Sequence, residues 1–160
     1  MERLPGLGCP HHVVSGGQTG VDRAALDAAM ACGLSHGGWC PRGRLAEDGP
    51  IPHHYQLRET GSSKYYIRTG KNVVDSDATL ILCRGPLSGG TELTARMAQQ
   101  HGRPILVLDL VGSGPDVDVA RRWLAAHRVG VLNVAGPRES THAGIGQQAY
   151  DFLCRLLAAD

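Results

Sequence analysis

Apolar positions recur along the chain with two different spacings, and their alternation predicts the architecture. A short apolar run at 12–15 reads as a strand. It leads into a helical pattern at 19–33, where Val21, Ala25, Ala28, Ala29 and Cys32 share one face and Gly33 supplies a C-terminal stop. A weak strand is expected at 37–40. Residues 41–52 follow, with glycine, proline and charge in a mixture that suits an irregular loop or lid. A helical pattern at 63–75 runs through Tyr66, Ile67, Val73 and Val74, although Thr69 and Gly70 interrupt it. The run ATLILC at 78–83 reads as a strand buried on both faces. A helix at 91–101, a strand at 105–109, a helix at 117–127, a strand at 129–134 and an amphipathic helix at 145–158 complete the series.

This alternation, without internal repeats or a linker, predicts one α/β domain over residues 1–160, with residues 1–11 loosely ordered. Its core is expected to be a Rossmann-like open, mostly parallel sheet with helices on both faces. In such sheets the strand-to-helix loops gather at the carboxyl edge, and ligands bind where the strand order reverses. The loops at 15–19, 39–48, 84–91 and 135–145 are therefore expected to be neighbours.

Composition sharpens this picture at three points. Glycine accounts for 22 of the 160 residues, about twice its usual ~7% share, and most of it clusters directly after apolar runs, where a backbone turns tightly or approaches a ligand. The 16 Lys and Arg nearly cancel the 15 Asp and Glu, for a formal charge of +1. No global field recommends nucleic acid or an anionic membrane as a partner, so anion binding has to be local. No apolar run approaches the ~20 residues that span a bilayer, and the first residues lack the pattern of a signal peptide, so a cytoplasmic location is expected. The five cysteines are odd in number and form no Cys-x-x-Cys pair, which points to reduced thiols.

The strongest chemical signal is VVSGGQTGVD, where a strand meets Ser15, Gly16, Gly17, Gln18, Thr19 and Gly20 before a helix opens. Backbone N–H groups and a helix N-terminus at that point suit a phosphate. The stretch lacks the Walker lysine and the dinucleotide spacing. Thr19 is expected to cap the helix with Asp22 as its capping-box partner, a structural role. RGPLSGGTELT repeats the arrangement after a buried strand, with Arg84, Ser88, Gly89, Gly90 and Thr91, and two such loops can converge on one ligand. Glu92 falls in the first helical turn, where the dipole favours a carboxylate without catalytic duty.

In WCPRGRLAEDG, Arg42 and Arg44 suit an oxyanion and Trp39 a planar ring, or else Trp39 belongs to the core and the arginines to a solvated rim. NVAGPRES adds Gly136 and Arg138 at the same edge, with His142 as a weaker candidate. The pairs His11–His12 and His53–His54 lack the i, i+4 spacing of a helical metal site, and no nucleophile elbow is present. No catalytic residue and no metal ligand is assigned.

Taken together, SGGQTGVDRAALDAA, HGGWCPRGRLAEDGPIP, DSDATLILCRGPLSGGTELT and LNVAGPRES resemble the molybdenum carrier (molybdenum cofactor carrier) family, in order, from about Val13 to Leu157. That resemblance implies a Rossmann-like fold related to the LOG, or lysine-decarboxylase-like, nucleotide-binding proteins. It also implies a homo-oligomer that carries molybdenum cofactor as an anionic small-molecule ligand and delivers it to molybdoenzymes. In that cofactor the metal is held by the pterin's dithiolene sulfurs, so the protein need not ligate it.

The LOG enzymes release ribose phosphate from nucleoside monophosphates and carry Pro-Gly-Gly-x-Gly-Thr-x-x-Glu. Here Ser88-Gly89-Gly90-Thr91-Glu92 lacks the spaced third glycine and shifts the glutamate. The reading that follows is a non-catalytic carrier that binds its ligand through Gly16, Gly17, Thr19 and Gly20 with Gly89, Gly90 and Thr91, helped by Arg42, Arg84 and Arg138. A sensor of a nucleotide-derived ligand and a LOG-type hydrolase are the alternatives, and molybdate or a nucleotide the alternative ligands. Gly17→Val and Gly90→Val are expected to weaken binding while the domain stays folded.

Overall fold

The computed structural model describes residues 9–112 and 114–159. Along the chain the elements are β1 (His12–Val14), α1 (Val21–Ala31), β2 (Ser35–Gly37), β3 (Trp39–Cys40), β4 (Leu45–Ala46), β5 (Gly49–Pro50), β6 (Arg58–Glu59) and α2 (Tyr65–Asp75). They continue as β7 (Ala78–Cys83), α3 (Gly89–Gln100), β8 (Ile105–Asp109), α4 (Val117–Ala126), β9 (Val131–Ala135) and α5 (Ile145–Leu157). Five strands pair in parallel in the order β2-β1-β9-β7-β8. Counted from β9 instead of β1, this is the 3-2-1-4-5 order of a doubly wound sheet. The Rossmann-like α/β fold expected from the sequence is thus present, with its chain start displaced by one strand.

The pleat divides the two faces of this sheet chemically, because successive side chains point to opposite sides. Ala78, Leu80 and Leu82 of β7 join Leu132 and Val134 of β9 in the main core, against Val21, Ala25, Ala28 and Ala29 of α1 and Phe152, Leu153 and Leu156 of α5. Alanines along α1 let it lie close on α5. The alternate residues, Thr79 and Asn133, face the α2–α3 side and bond to each other at 3.2 Å. Polar side chains are buried there too: Arg68 and Asn72 of α2, and Thr91 and Thr94 of α3. Gly70, which weakens the helical signal of α2, faces α3, where a Cβ would make ordinary van der Waals contact with the Met97 sulfur at 3.6 Å.

Boundaries shift where backbone geometry overrides pattern. The strand expected at 37–40 splits at Gly38, whose φ of +123° breaks β2 from β3 and brings the chain against Ser15. The stop expected at Gly33 takes the expected form, with φ +70° and Leu34 N–H donating to Ala29 O at 2.8 Å. The stretch at 41–52 holds the antiparallel β4–β5 pair. It is pinned to α1 by a small second core of Leu26, Cys40, Ile51 and Tyr55. The Arg44 guanidinium stitches the same segment by donating to the carbonyls of Ile51, Pro52 and Tyr55.

The loose N-terminus expected over 1–11 lies mostly outside the described residues; within them, His11 N–H donates to Gly130 O at 2.9 Å. Among the described residues no helix is long and apolar enough to cross a membrane.

Ile51 is 1% exposed within the small second cluster. Ile51→Ala is expected to lower the unfolding free energy by about 2–4 kcal/mol. Urea denaturation checks the loss, and faster amide exchange confined to residues 41–57 checks its location.

Candidate functional site

At the carboxyl edge, α5 leaves β9 toward one face of the sheet while α3 leaves β7 toward the other. The crevice between such diverging neighbours is where open α/β sheets bind ligands. Here it is a cleft of about 360 Å³ between α2, the start of α3, and the loop after β9, at the small end of the ~300–1,000 Å³ typical of small-molecule sites. Of the residues expected from sequence to hold the ligand, Gly16, Gln18, Ser88, Gly89, Gly90, Thr91, Gly136 and Arg138 line it.

The two glycine loops play unequal parts. In the first, four N–H groups are already engaged: Gly17 N donates to Ser15 Oγ, Gln18 N to Asp22 Oδ2, Thr19 N to Gln18 Oε1 and Val21 N to Pro137 O. Gly20, and not Thr19, is the N-cap of α1, which has no side-chain cap. The Thr19 hydroxyl donates instead to Glu47 and accepts from Glu139 N–H.

The second loop stays open. Helix α3 starts at Gly89, two residues before the expected position, and its N-cap Ser88 makes no side-chain cap bond. Its first N–H groups, which lack intrahelical partners by construction, face the cleft with the positive end of the dipole.

Further residues of the cleft lay outside the sequence-based site, and five of them bear on its chemistry. Arg68 is 8% exposed, and its guanidinium donates to Gly16 O at 2.7 Å. A Cβ on Gly16 would stand 2.6 Å from Arg68 Cζ, so glycine is required for this contact. Tyr65 and Tyr66 expose aromatic rings at the rim, and Arg68 and Arg138 lie 5.2 and 5.6 Å from the Tyr65 ring centre. Asn72, one helical stripe along from Tyr65 and Arg68, donates to Trp39 O and accepts from Trp39 N. The signal for these residues is a polar stripe at 65, 68 and 72 where an amphipathic helix should bury apolar ones.

Asp22 is the fifth. Burial pushes its carboxyl from 3.8 up to about 6, partly offset by Arg68, the Gln18 N–H, Arg138 and Arg23.

Other expected residues serve elsewhere. Arg42 is exposed, and its N–H donates to Ser62 O. Arg84 donates to Gln148 Oε1 at 2.6 Å and to Ala143 O at 2.9 Å, tying the second loop to α5. The Ser15 hydroxyl donates to Asp22 O inside the fold, while Thr19 and Gly20 line a separate open groove beside α5. Trp39 is sandwiched between Arg58 and Lys71, each 4.6 Å from its ring centre, and its indole N–H donates to Asp75. The acids of the 39–48 loop are clasps. Glu47, its pKa lowered by the Ser140 and Thr19 hydroxyls, joins the first glycine loop to the loop after β9, and Asp48 pairs with Arg23. Glu92 is turned outward, 55% exposed and paired with Arg96. Among the described residues no group of His, Cys, Asp and Glu is arranged to hold a metal ion.

Residues 13–157 match the profile of the family described as "Circularly permutated YpsA SLOG family", which agrees with a sheet whose doubly wound order starts at β9. Among solved structures, the chain resembles a "Putative molybdenum carrier protein" from Syntrophus aciditrophicus SB. Identity is 43%, the match covers 94% of this chain and 96% of that one, and the TM-score is 0.89. No curated protein matches the chain.

Folding raises the pKa of Asp22, so between about pH 4 and 6 the folded protein holds a proton that the unfolded chain has released. Stability from this group is therefore present at low pH and lost as the pH rises through 6. Asp22→Asn removes the effect, and its unfolding free energy relative to the parent is expected to rise by about 3 kcal/mol from pH 3 to pH 7. Parallel denaturation series at the two pH values check this.

Proposed function

From a chain that belongs to the circularly permuted YpsA SLOG family, we infer a cytoplasmic carrier that holds molybdenum cofactor, a phosphate-bearing ligand with a flat ring, without turning it over. The observation that carries this reading is the N-terminus of α3, Gly89 to Thr91, which lines the cleft and has no side-chain cap among the described residues. A phosphate there meets backbone N–H groups and the helix dipole, with the Arg138 guanidinium on the opposite wall. The exposed rings of Tyr65 and Tyr66 suit a planar pterin.

The cleft also has unmet hydrogen-bonding capacity. Gln18 is 5% exposed, and its amide Nε2 has no partner among the described residues. A buried donor in that state costs about 1–3 kcal/mol until an acceptor arrives. The similar protein's description as a molybdenum carrier supports the choice of ligand, and a cofactor that brings its own dithiolene sulfurs asks no metal ligand of the chain. Molybdoenzymes are the recipients this role implies.

The switch-point location favours one second reading, a nucleotide-derived ligand held in the same cleft. Hydrolysis of such a ligand by Glu92 is disfavoured by its outward position.

Thermal melting with molybdenum cofactor, molybdate, AMP and ADP-ribose in parallel tests the reading. At about 100 times its Kd a ligand of the folded state adds about 2.7 kcal/mol, a rise in Tm on the order of 5–10 °C for a domain of this size. The cofactor is expected to give that rise and molybdate much less. A rise with AMP or ADP-ribose and none with cofactor overturns the carrier in favour of the nucleotide reading.

The two glycine variants separate site from scaffold. A Cβ on Gly90 meets nothing within 4 Å, so Gly90→Val is expected to abolish the rise while the unliganded Tm changes little. Gly17, at φ +77° with Leu57 Cδ1 2.6 Å from a Cβ, is structural. Gly17→Val is expected to lower the unliganded Tm.

A further inference from the structure

Asp22 is 7% exposed and lines the cleft, yet it is under-used by the protein. Its Oδ2 accepts the Gln18 N–H at 3.3 Å, and no other hydrogen bond reaches the carboxylate among the described residues. No ion pair there includes it, although Arg68, Arg138 and Arg23 all act on it at longer range. Oδ1 accepts no hydrogen bond among the described residues, on a side chain that lines the cleft. Burial of this kind is costly unless hydrogen-bond donors compensate it. Among the described residues the Gln18 N–H is the one donor that reaches the carboxylate.

We propose that Asp22 reads the N–H edge of a 2-amino-4-oxo-pyrimidine ring, the edge shared by pterins and guanine, in the ligand whose phosphate sits at α3. The inference rests on the cleft being the ligand site. On that edge a ring N–H and the neighbouring amino group point the same way, and a planar carboxylate accepts both. The carbonyl on the other side of the ring N–H needs a donor. Gln18 Nε2 is enclosed and unpartnered beside the cleft, and its amide is oriented by Oε1, which accepts from Thr19 N at 3.0 Å and Glu47 N at 2.9 Å, so it reaches that carbonyl only by a shift of the side chain into the cleft. Adenine presents a bare ring nitrogen where this edge has an N–H, so its lone pair would face the carboxylate. The site thus selects by the direction of hydrogen bonds as well as by shape.

The test is isothermal titration of the purified protein with GMP, IMP, XMP, AMP and 6-hydroxymethylpterin phosphate. GMP and the pterin phosphate are expected to bind about 10- to 100-fold more tightly than AMP, with IMP, which lacks the amino group, in between. The tighter of the two names the source of the ring. In Asp22→Asn, which is isosteric and buries no charge, the GMP-to-AMP ratio falls toward one. XMP overtakes GMP there, because an amide donates to the carbonyl that replaces the amino group.

Equal affinities for GMP and AMP in the parent protein overturn the proposal while leaving the phosphate cleft standing. So does an equal loss for every ligand in Asp22→Asn, and the parent ratios decide even if that variant folds poorly. Absence of binding by all five ligands overturns the cleft reading and this proposal together.

Discussion

The pleat of the two central strands, β9 and β7, is the constraint on which the rest depends. It sends Leu80, Leu82, Leu132 and Val134 into the core under α1 and α5, and Thr79 and Asn133 to the side of α2 and α3. One face of the sheet thereby supplies most of the apolar burial. The other is released from that duty and can bury Arg68, Asn72, Thr91 and Thr94 around a cleft. A slip of one residue in register would exchange the two faces and bring the polar set into the apolar core. Stability and the site are thus two consequences of one alternation.

Arg68 links the faces of the cleft. Its guanidinium presses on Gly16 and donates to that residue's carbonyl, so α2 is fastened to the loop after β1 by a contact that no side chain at position 16 would permit. The same guanidinium lies 5.2 Å from the Tyr65 ring and contributes to the field around Asp22. Glu47 performs the matching task outside the cleft, where it holds Thr19 and Ser140 together. Between these two clasps the first glycine loop gives N–H groups to Ser15, Gln18, Asp22 and Pro137. The start of α3 is held by neither.

Circular permutation explains how such a site survives a displaced chain start. Strand neighbours in the sheet are set by packing and hydrogen bonding, whereas the order of connection only decides which loops are continuous. With β9 last in the chain and yet central in the sheet, the loop before α5 and the loop before α3 still meet at the switch point. The cleft follows from sheet position and is indifferent to where the chain begins.

Local chemistry determined much of this protein. Apolar runs with two periods were enough to find the helices and the long strands, because β7 is apolar at nearly every position and α1 and α5 repeat at helical spacing. The chain stop at Gly33 was legible for the same reason, since a left-handed residue after a helix is a local requirement. The glycine loops before α1 and α3 were visible as pairs, but their different fates were not. Whether an N–H group is free depends on partners such as Asp22, Gln18 and Pro137, which only the fold brings to it.

Arg68, Tyr65 and the carboxylate of Asp22 were hidden in the same way. Their meaning comes from a neighbour about 50 residues away, from the face they turn to, and from the donors they lack. Arg42 and Arg84, by contrast, carried the right charge in the right loops, and the tertiary structure assigned them to the surface and to α5. Sequence determines which residues have the chemistry for binding an anion, since charge, amide and glycine are local properties. Only tertiary structure decides which of them are left unsatisfied, because satisfaction is a relation between segments that the chain order keeps apart.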